Sequence, residues 1–551
     1  MDRLDDVFGN ELPDDDAADE DAVPAEPVDL AAERVSRRPR RNQRGDKSQS
    51  TQLVELARQR FEVVKDRDGR IYAVDRAHPG IAIALRGTTG VRQQIASVFY
   101  DGTGKAASSA ALADMLNVIE GDALKAAPTP VFLRVGEQSG VIYLDLGAAD
   151  GTVVAIDRNG WNVLDRSPVL FRRSALTSEL PEPQRASDGL DRLRRMLNVG
   201  DSGFRLMVGW LVAALVPDIP HPILALIGQQ GTAKTTAMTM LASVIDPSAA
   251  PARTPPRDED SWGTMALHSW VIGLDNISRL APWFQDALCK ICTGDGIVRR
   301  TKYSDDEPSV QRFKRPVALT SIDPGALNGD VADRLLSVEL EPISRAQRRT
   351  EADVRADFEH AAPAILGGLL DLLAQVLDAL PRVRLAELPR MADFARILAA
   401  LDRVTGWQTL PDYLAAADAA AQTVIDSDAF ASALKDFVDK RGTWDGTAAQ
   451  LGALLEMEKP PPGWPRTAQA VGGRLRRIAP AMAQVGIRIT ERPRTMHGRG
   501  WTIESNPAPS TGARACDVCG DPLSPDLPDD VRHVTCADEN GYTTTKGTTR
   551  Q

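Results

Sequence analysis

Residues 222–236 read Pro-Ile-Leu-Ala-Leu-Ile-Gly-Gln-Gln-Gly-Thr-Ala-Lys-Thr-Thr. A short apolar run stops at Gly228, a loop through Gly231, Thr232 and Ala233 follows, and Lys234-Thr235-Thr236 opens a helical stretch. Strand, loop and helix in that order make a phosphate cradle. The loop's backbone N–H groups point at the anion, and the helix N-terminus carries a partial positive charge. Lys234 can reach the outer phosphates and Thr235 can hold Mg²⁺, so the chemistry implied is that of ATP with Mg²⁺. The spacing is Gly-x-x-x-x-Ala-Lys-Thr, in which Ala233 stands at the usual second glycine. A side chain that small leaves room for a phosphate.

The residues after the loop say what the nucleotide is used for. Trp270-Val-Ile-Gly-Leu-Asp275-Asn276 is an apolar strand ending in a carboxylate, the arrangement in which an Asp holds Mg²⁺ through its water shell. The next position usually carries Glu in ATPases that polarise the attacking water. Asn276 cannot act as a base, though it can orient water, so brisk hydrolysis is not implied; Asp258, Glu259, Asp260 or a neighbouring subunit are the candidates to compensate. Pro316-Val-Ala-Leu-Thr320-Ser321 is a second buried strand with hydroxyls at its C-terminal end, the edge at which open α/β sheets bind ligands. One of these hydroxyls is expected beside the γ-phosphate. Arg334 then stands at the entrance of a further strand, either as a finger into a neighbour's nucleotide or in a salt bridge to Asp330 or Asp333.

In this order and at this spacing, Lys234/Thr235, Asp275, Thr320/Ser321 and Arg334 resemble the AAA+ core of superfamily 3 helicases of the phage, plasmid and poxvirus primase-helicase type. Within that group the chain looks like the ATP-binding replication proteins of actinobacterial prophages and mobile elements. The resemblance covers about 190–345 well and 436–505 more loosely. The family's third motif usually has Asn where this chain has Ile322, which makes Ser321 the stand-in sensor. The resemblance implies a homo-oligomeric ring, and a hairpin before the sensor strand that grips DNA in a central channel. Ile297–Tyr303 and Ser309–Phe313 have the pattern of that hairpin, with an acidic turn at Asp305-Asp306. Arg299, Arg300, Lys302 and Tyr303 are then its candidate DNA contacts, since cations track the backbone and an aromatic stacks on bases.

Two further patterns concern metal and duplex DNA. Cys516-Asp-Val-Cys519 followed by His533-Val-Thr-Cys536 is C-x₂-C-x₁₃-H-x₂-C, four ligands suited to a closed, structural, tetrahedral Zn²⁺ site. Cys289 and Cys292 have similar close spacing but lie in a helical stretch with no second ligand pair, and read as core residues. Residues 436–505 combine helices with two alternating strands at Ile487–Arg492 and Gly500–Glu504, the order of a winged helix. Arg474, Arg476 and Arg477 fall on the candidate recognition helix, and Arg492, Arg494 and Arg499 on the wing.

The elements that carry these residues suggest an α/β protein of several parts. Residues 1–48 read as an acidic then basic disordered tail and 49–185 as an α+β domain of no declared chemistry. Residues 186–345 read as the AAA+ P-loop core, 346–435 as a helical region, 436–505 as the winged helix and 506–551 as the zinc-binding segment. In 49–185, Asp145 is expected on the outer side of a strand and Asp150 in a turn. Pro181-Glu-Pro183 reads as a linker. The net charge of −11 comes from the tail: residues 1–30 hold 12 acidic side chains and one Arg, and removing them from totals of 76 and 65 leaves 64 of each sign. The sequence has no evident run of about 18 apolar residues and no signal peptide, so a cytoplasmic protein without a membrane partner is expected.

The function expected is an ATP-dependent DNA helicase or translocase in the replication of a phage, prophage or plasmid. The alternatives are a DNA-binding AAA+ ATPase switch that does not unwind, and a zinc-binding scaffold with a degenerate ATP site.

Overall fold

The computed structural model describes residues 47–505, apart from 88, 295, 301–307, 323–328, 458, 462 and 496–497. The first part, 49–185, starts with α1 (Gln49–Arg60), β1 (Phe61–Lys65), β2 (Ile71–Asp75), β3 (Ile81–Ala84), α2 (Val91–Thr103) and α3 (Ser109–Leu124). It continues with β4 (Val131–Phe132), β5 (Val135–Gln138), β6 (Val141–Asp145), β7 (Val153–Asp157), β8 (Gly160–Leu164) and β9 (Leu170–Arg172). One sheet runs β1-β2-β3-β9-β4, and the other is the meander β5-β6-β7-β8. Leu53, Ile95, Met115 and Ile119 bring α1, α2 and α3 into one apolar cluster with Phe61 and Ala73 of the first sheet. Sequence patterning did not separate α1, β1 and β9 from their surroundings.

Asp145 is not on an outer face. It is 1% exposed, and its carboxylate accepts from Arg173 Nη2 at 2.6 Å and Nε at 2.9 Å. The strand is where expected, but the second sheet is covered on the Asp145 side, where a buried carboxylate is tolerable because a guanidinium meets it. Asp150 sits in its turn and accepts from the Thr152 N–H at 3.0 Å and hydroxyl at 2.7 Å.

The central part contains α4 (Gly189–Met196), α5 (Asp201–Ala214), β10 (Ile223–Ile227), α6 (Lys234–Ile245), α7 (Glu259–His268), β11 (Ile272–Ile277) and α8 (Pro282–Thr293). Then come β12 (Gly296–Arg300), β13 (Pro308–Arg312), β14 (Val317–Ser321), a 3-10 turn at Gly329–Arg334 and β15 (Leu335–Glu339). The sheet order is β11-β14-β10-β15, all parallel. Each residue of β10 is buried, as a strand covered on both faces must be, which is why it reads as an unbroken apolar run.

Helices α9 (Glu351–Ala379), α10 (Ala392–Thr405) and α11 (Thr409–Ser427) follow. They share one apolar cluster with α4, α5 and α6, and with the β5–β8 sheet, so this region is continuous with the core beside it. The segment expected as a linker is also packed: Pro183 is buried, and the Gln184 N–H donates to the Pro363 carbonyl of α9 at 2.9 Å. Close approach demands small residues there. A Cβ on Gly367 would stand 1.9 Å from the Gln184 carbonyl oxygen, and one on Gly189 would stand 2.1 Å from that of Ala364. The stretch Glu351–Arg382 is long and apolar enough to cross a membrane, contrary to the expectation that no such run exists, and 61% of its apolar window is buried inside the molecule.

The last described part has α12 (Ala429–Arg441), β16 (Trp444–Thr447), α13 (Ala448–Leu454), α14 (Ala468–Gln484), β17 (Ile487–Thr495) and β18 (Gly498–Ser505). Its sheet order is β16-β18-β17, and it has its own apolar cluster, built on Phe430, Leu434, Leu475, Ile478, Trp501 and Ile503.

Candidate functional site

The loop 228–233 leaves the C-terminal end of β10 and feeds α6. Its backbone is held by its own side chains: Thr232 Oγ1 donates to the Gln229 carbonyl at 2.9 Å. Lys234 Nζ donates to the carbonyls of Gly228 at 2.7 Å and Gln229 at 2.8 Å. Asn198, just beyond α4, donates its amide to the Thr232 carbonyl at 2.9 Å. No motif in the sequence marks Asn198; only the fold brings it to the loop. Burial lowers the Lys234 pKa, and the charge of Asp275 acts against that shift.

Ala233 adopts φ +56°, ψ +34° at the N-cap of α6. This left-handed conformation costs an L-residue about 1–2 kcal/mol, which glycine does not pay. Ala233 therefore leaves space for a phosphate but puts strain on the backbone. Ala233→Gly is expected to raise stability, by up to about 1 kcal/mol once the extra freedom of glycine in the unfolded chain is subtracted. Denaturant unfolding of the two chains measures it, and a less stable glycine variant would show that the backbone at 233 is not strained.

Thr235, Asp275 and Thr320 converge. Thr235 Oγ1 donates to Asp275 Oδ1 at 2.8 Å and Thr320 Oγ1 donates to the same oxygen at 2.6 Å. The Asn276 N–H donates to Thr320 Oγ1 at 2.8 Å. Topology makes this possible, because β14 lies between β10 and β11 and pairs with both. The pairing of β11 with β14 shifts between Leu274 and Ile277, and at the break Asn276 has φ +57°. Asn enters the left-handed region more readily than Glu, which gives a conformational reason for the amide at this position. The Asn276 side chain is exposed. Asp258 caps α7 by accepting from the Ser261 N–H at 2.7 Å, with Glu259 and Asp260 in that helix's first turn.

Ser321 takes a different direction from the one expected. It is 1% exposed, and its hydroxyl donates to the Ile277 carbonyl at 2.7 Å. Successive strand residues point to opposite faces, so when Thr320 faces Asp275 its neighbour Ser321 does not. Thr320 thus replaces Ser321 as the candidate sensor. Arg334 is half-buried, and its Nη1 donates to Cys289 Sγ on α8 at 3.3 Å. Asp333 pairs instead with Arg390 at 2.6 Å. Cys292 is fully buried, and burial pushes its thiol up to about 12, as befits a core residue.

The hairpin expected before the sensor strand is present in the backbone as β12 and β13, antiparallel, with Arg299 opposite Ser309 and Arg300 opposite Pro308. Lys302 and Tyr303 lie outside the described residues, as do the side chains of Arg299 and Arg300. The base of the hairpin is anchored. Phe313 is buried, Lys314 Nζ donates to the Asp218 carbonyl at 2.5 Å, and the Arg315 guanidinium lies 5.4 Å from the centre of the Trp270 ring. Burial pushes the Arg315 pKa down to about 9.

On α14, Arg474 pairs with Asp428 at 2.8 Å. Arg476 pairs with Glu491 at 2.8 Å and lies over the Trp501 ring, so both tie this helix to its own module. Arg477 is exposed. Arg492 on β17, a candidate wing residue, pairs with Asp445. Cys516, Cys519, His533 and Cys536 lie outside the described residues. Among the described residues no group of three or more His, Cys, Asp or Glu side chains is arranged to hold a metal.

Residues 190–423 match the family model described as actinomycete integrative conjugative element replication protein. Residues 430–515 match the C-terminal domain model of the same replication proteins, and together the two matches span more than half of the chain. No curated protein matches the chain. Among solved structures, one titled SCCmec type IV Cch, active helicase, is 14% identical with a TM-score of 0.39, over 81% of this chain and 93% of that one. The apo C-terminal region of NrS-1 is 12% identical with a TM-score of 0.36, over 83% and 99%. A JCV helicase is 12% identical with a TM-score of 0.20, over 40% and 68%. These superpositions are loose and add nothing to the topology described above.

Proposed function

Because the chain belongs to the family of actinomycete integrative conjugative element replication proteins, we propose that it is an ATP-dependent DNA helicase or translocase that replicates such an element. The observation that carries this reading is the meeting of Thr235 and Thr320 on one oxygen of Asp275, at the C-terminal edge of a parallel sheet and beside a phosphate-type loop. Lys234 would exchange the carbonyls of Gly228 and Gln229 for the outer phosphates, and the N–H groups from Gly231 to Thr236 would hold the rest of the chain. A hydroxyl and a carboxylate 2.8 Å apart are hard oxygen donors that suit Mg²⁺. Thr235 and Asp275 would hold it, and bound there it neutralises charge developing on the phosphates. Thr320 fixes the Asp275 carboxylate, and the Asn276 amide would orient the attacking water without taking its proton.

The hairpin β12–β13 would carry Arg299, Arg300, Lys302 and Tyr303 to single-stranded DNA within a homo-oligomeric ring. Arg334 would have to leave Cys289 to act as a finger in a neighbour's site. The order α12, β16, α13, α14, β17, β18 supports a winged helix for 436–505, with Arg477 its most available recognition-helix cation. The spacing of Cys516, Cys519, His533 and Cys536 supports a structural Zn²⁺ site. The second reading, an ATPase switch that binds DNA without unwinding it, is favoured by Asn276, because slow turnover suits a switch.

The test is the ATPase rate with and without single-stranded DNA. DNA is expected to stimulate turnover, and Lys302→Ala to lose the stimulation while keeping the basal rate. Nucleotide binding without turnover would sink the motor and leave the switch. Unchanged DNA coupling in Lys302→Ala would remove the hairpin from the mechanism.

A further inference from the structure

We propose that Arg348 is a nucleotide-binding residue of the same loop, supplied by the loop's own subunit to the phosphate chain; this rests on the reading of the loop as an ATP site. Gly231 is exposed and has φ +85°. A Cβ built on it would stand 3.6 Å from Arg348 Nη2, with no other neighbour within 4 Å among the described residues beyond the adjoining chain. The guanidinium therefore lies beside Gly231, on the side to which a side chain there would project.

The fold brings it there by a short, fixed route. Strand β15 runs parallel beside β10, and the Leu340 N–H donates to the Ile227 carbonyl at 2.8 Å, one residue before the loop begins. The Glu341 N–H donates to the Asn198 carbonyl at 2.9 Å, while the Asn198 amide bridges the carbonyls of Glu341 at 2.5 Å and Thr232 at 2.9 Å. Ser344 and Gln347 then form a capping box around the 3-10 turn Arg345–Gln347, and Arg348 is the next residue. Thr350 caps α9 immediately after. A loop tied at both ends in this way has few places to put the intervening side chain.

The charge on Arg348 is uncommitted. The residue is exposed, and its guanidinium forms no ion pair or hydrogen bond among the described residues. Its neighbour Arg349, by contrast, is held by Asp357 at 2.7 Å. A lone cation beside Lys234 and a loop of the phosphate-binding pattern gains nothing from that company until an anion arrives. A guanidinium can meet a phosphate with two parallel N–H bonds, whereas an ammonium offers a point charge. Arg334, the candidate finger into a neighbour's nucleotide, is turned to Cys289.

The experiment is equilibrium binding of a fluorescent ATP analogue with Mg²⁺ to the full chain, repeated at several protein concentrations. Arg348→Ala is expected to weaken binding by about tenfold or more, the scale of a lost hydrogen bond to a charged group. Arg348→Lys should lose less. Because the residue is exposed, the melting temperature without nucleotide should not move, and the defect should be the same at every protein concentration. Wild-type affinity in Arg348→Ala, alongside lost binding in Lys234→Ala, would overturn the inference and spare the ATP site. A defect that appears only at concentrations where the chain assembles would overturn it too, because the residue would then serve a neighbour. If the wild-type chain binds no analogue, or Lys234→Ala binds it as well as wild type, the reading of the loop itself fails.

Discussion

Replacing Lys234 by Ala is expected to lower ATP turnover by about 10²–10³-fold, the cost of removing one preorganised donor from developing charge. Lys234 opens α6 at the end of the loop, and its ammonium is held at the loop's own carbonyls, 2.7 Å from Gly228 and 2.8 Å from Gln229. It is thus already within the cradle and needs no large movement to meet a phosphate. Its removal should leave the fold intact, because the Gln229 end of the loop is exposed and water can replace the lost donor there. Phosphate release at saturating ATP, read beside the melting temperature, tests both halves of this expectation. A variant that turns over at the wild-type rate would put the chemistry elsewhere in the molecule.

Replacing Arg134 by Ala is expected to have the largest effect on stability, a loss of about 3–5 kcal/mol. Arg134 is 1% exposed and belongs to the 49–185 part, yet its Nε donates to Asp246 Oδ1 at 2.9 Å, at the C-terminal end of α6. Its Nη1 and Nη2 donate to the carbonyls of Asp145 at 2.8 Å and Ser178 at 2.7 Å. Removing the guanidinium strands a carboxylate in the interior and leaves two carbonyls without a donor. Asp246 also sits where the α6 dipole is unfavourable to negative charge. It keeps the N–H groups of Trp270 at 2.8 Å and Val271 at 3.0 Å, which argues for the lower end of the range. Denaturant unfolding of the full chain measures the loss; a change below about 1 kcal/mol would mean that the pair is not buried in solution. The same contact gives 49–185 a structural part in the proposed ATP site, because it fixes the far end of the helix that Lys234 begins.

The elements legible in advance were those with strong local signals. Residues Ile223–Ile227 formed the buried strand that their apolar run implied. The two expected hairpins paired as Gly296–Arg300 with Pro308–Arg312 and as Ile487–Thr495 with Gly498–Ser505. Less legible were β9 and β16, which are four residues or fewer and owe their strand character to partners distant in sequence. The misreading of Asp145 has the same origin: alternation located the strand, but which face is covered depends on what packs against it.

The phosphate-type loop was determined by the sequence itself, because everything it needs lies within a few consecutive residues: the apolar strand before it, the small residues in it, and Lys234 and Thr235 after it. The backbone geometry of such a loop is a local property, and its donors are its own N–H groups. Tertiary structure alone decided which hydroxyl faces Asp275, since the pleat of β14 sends Thr320 one way and Ser321 the other. It also decided that Arg334 turns to Cys289, while Asn198 and Arg348 come to the loop from outside the motif. Those assignments depend on which strands are neighbours and how connecting segments are pinned, and chain spacing carries no record of either.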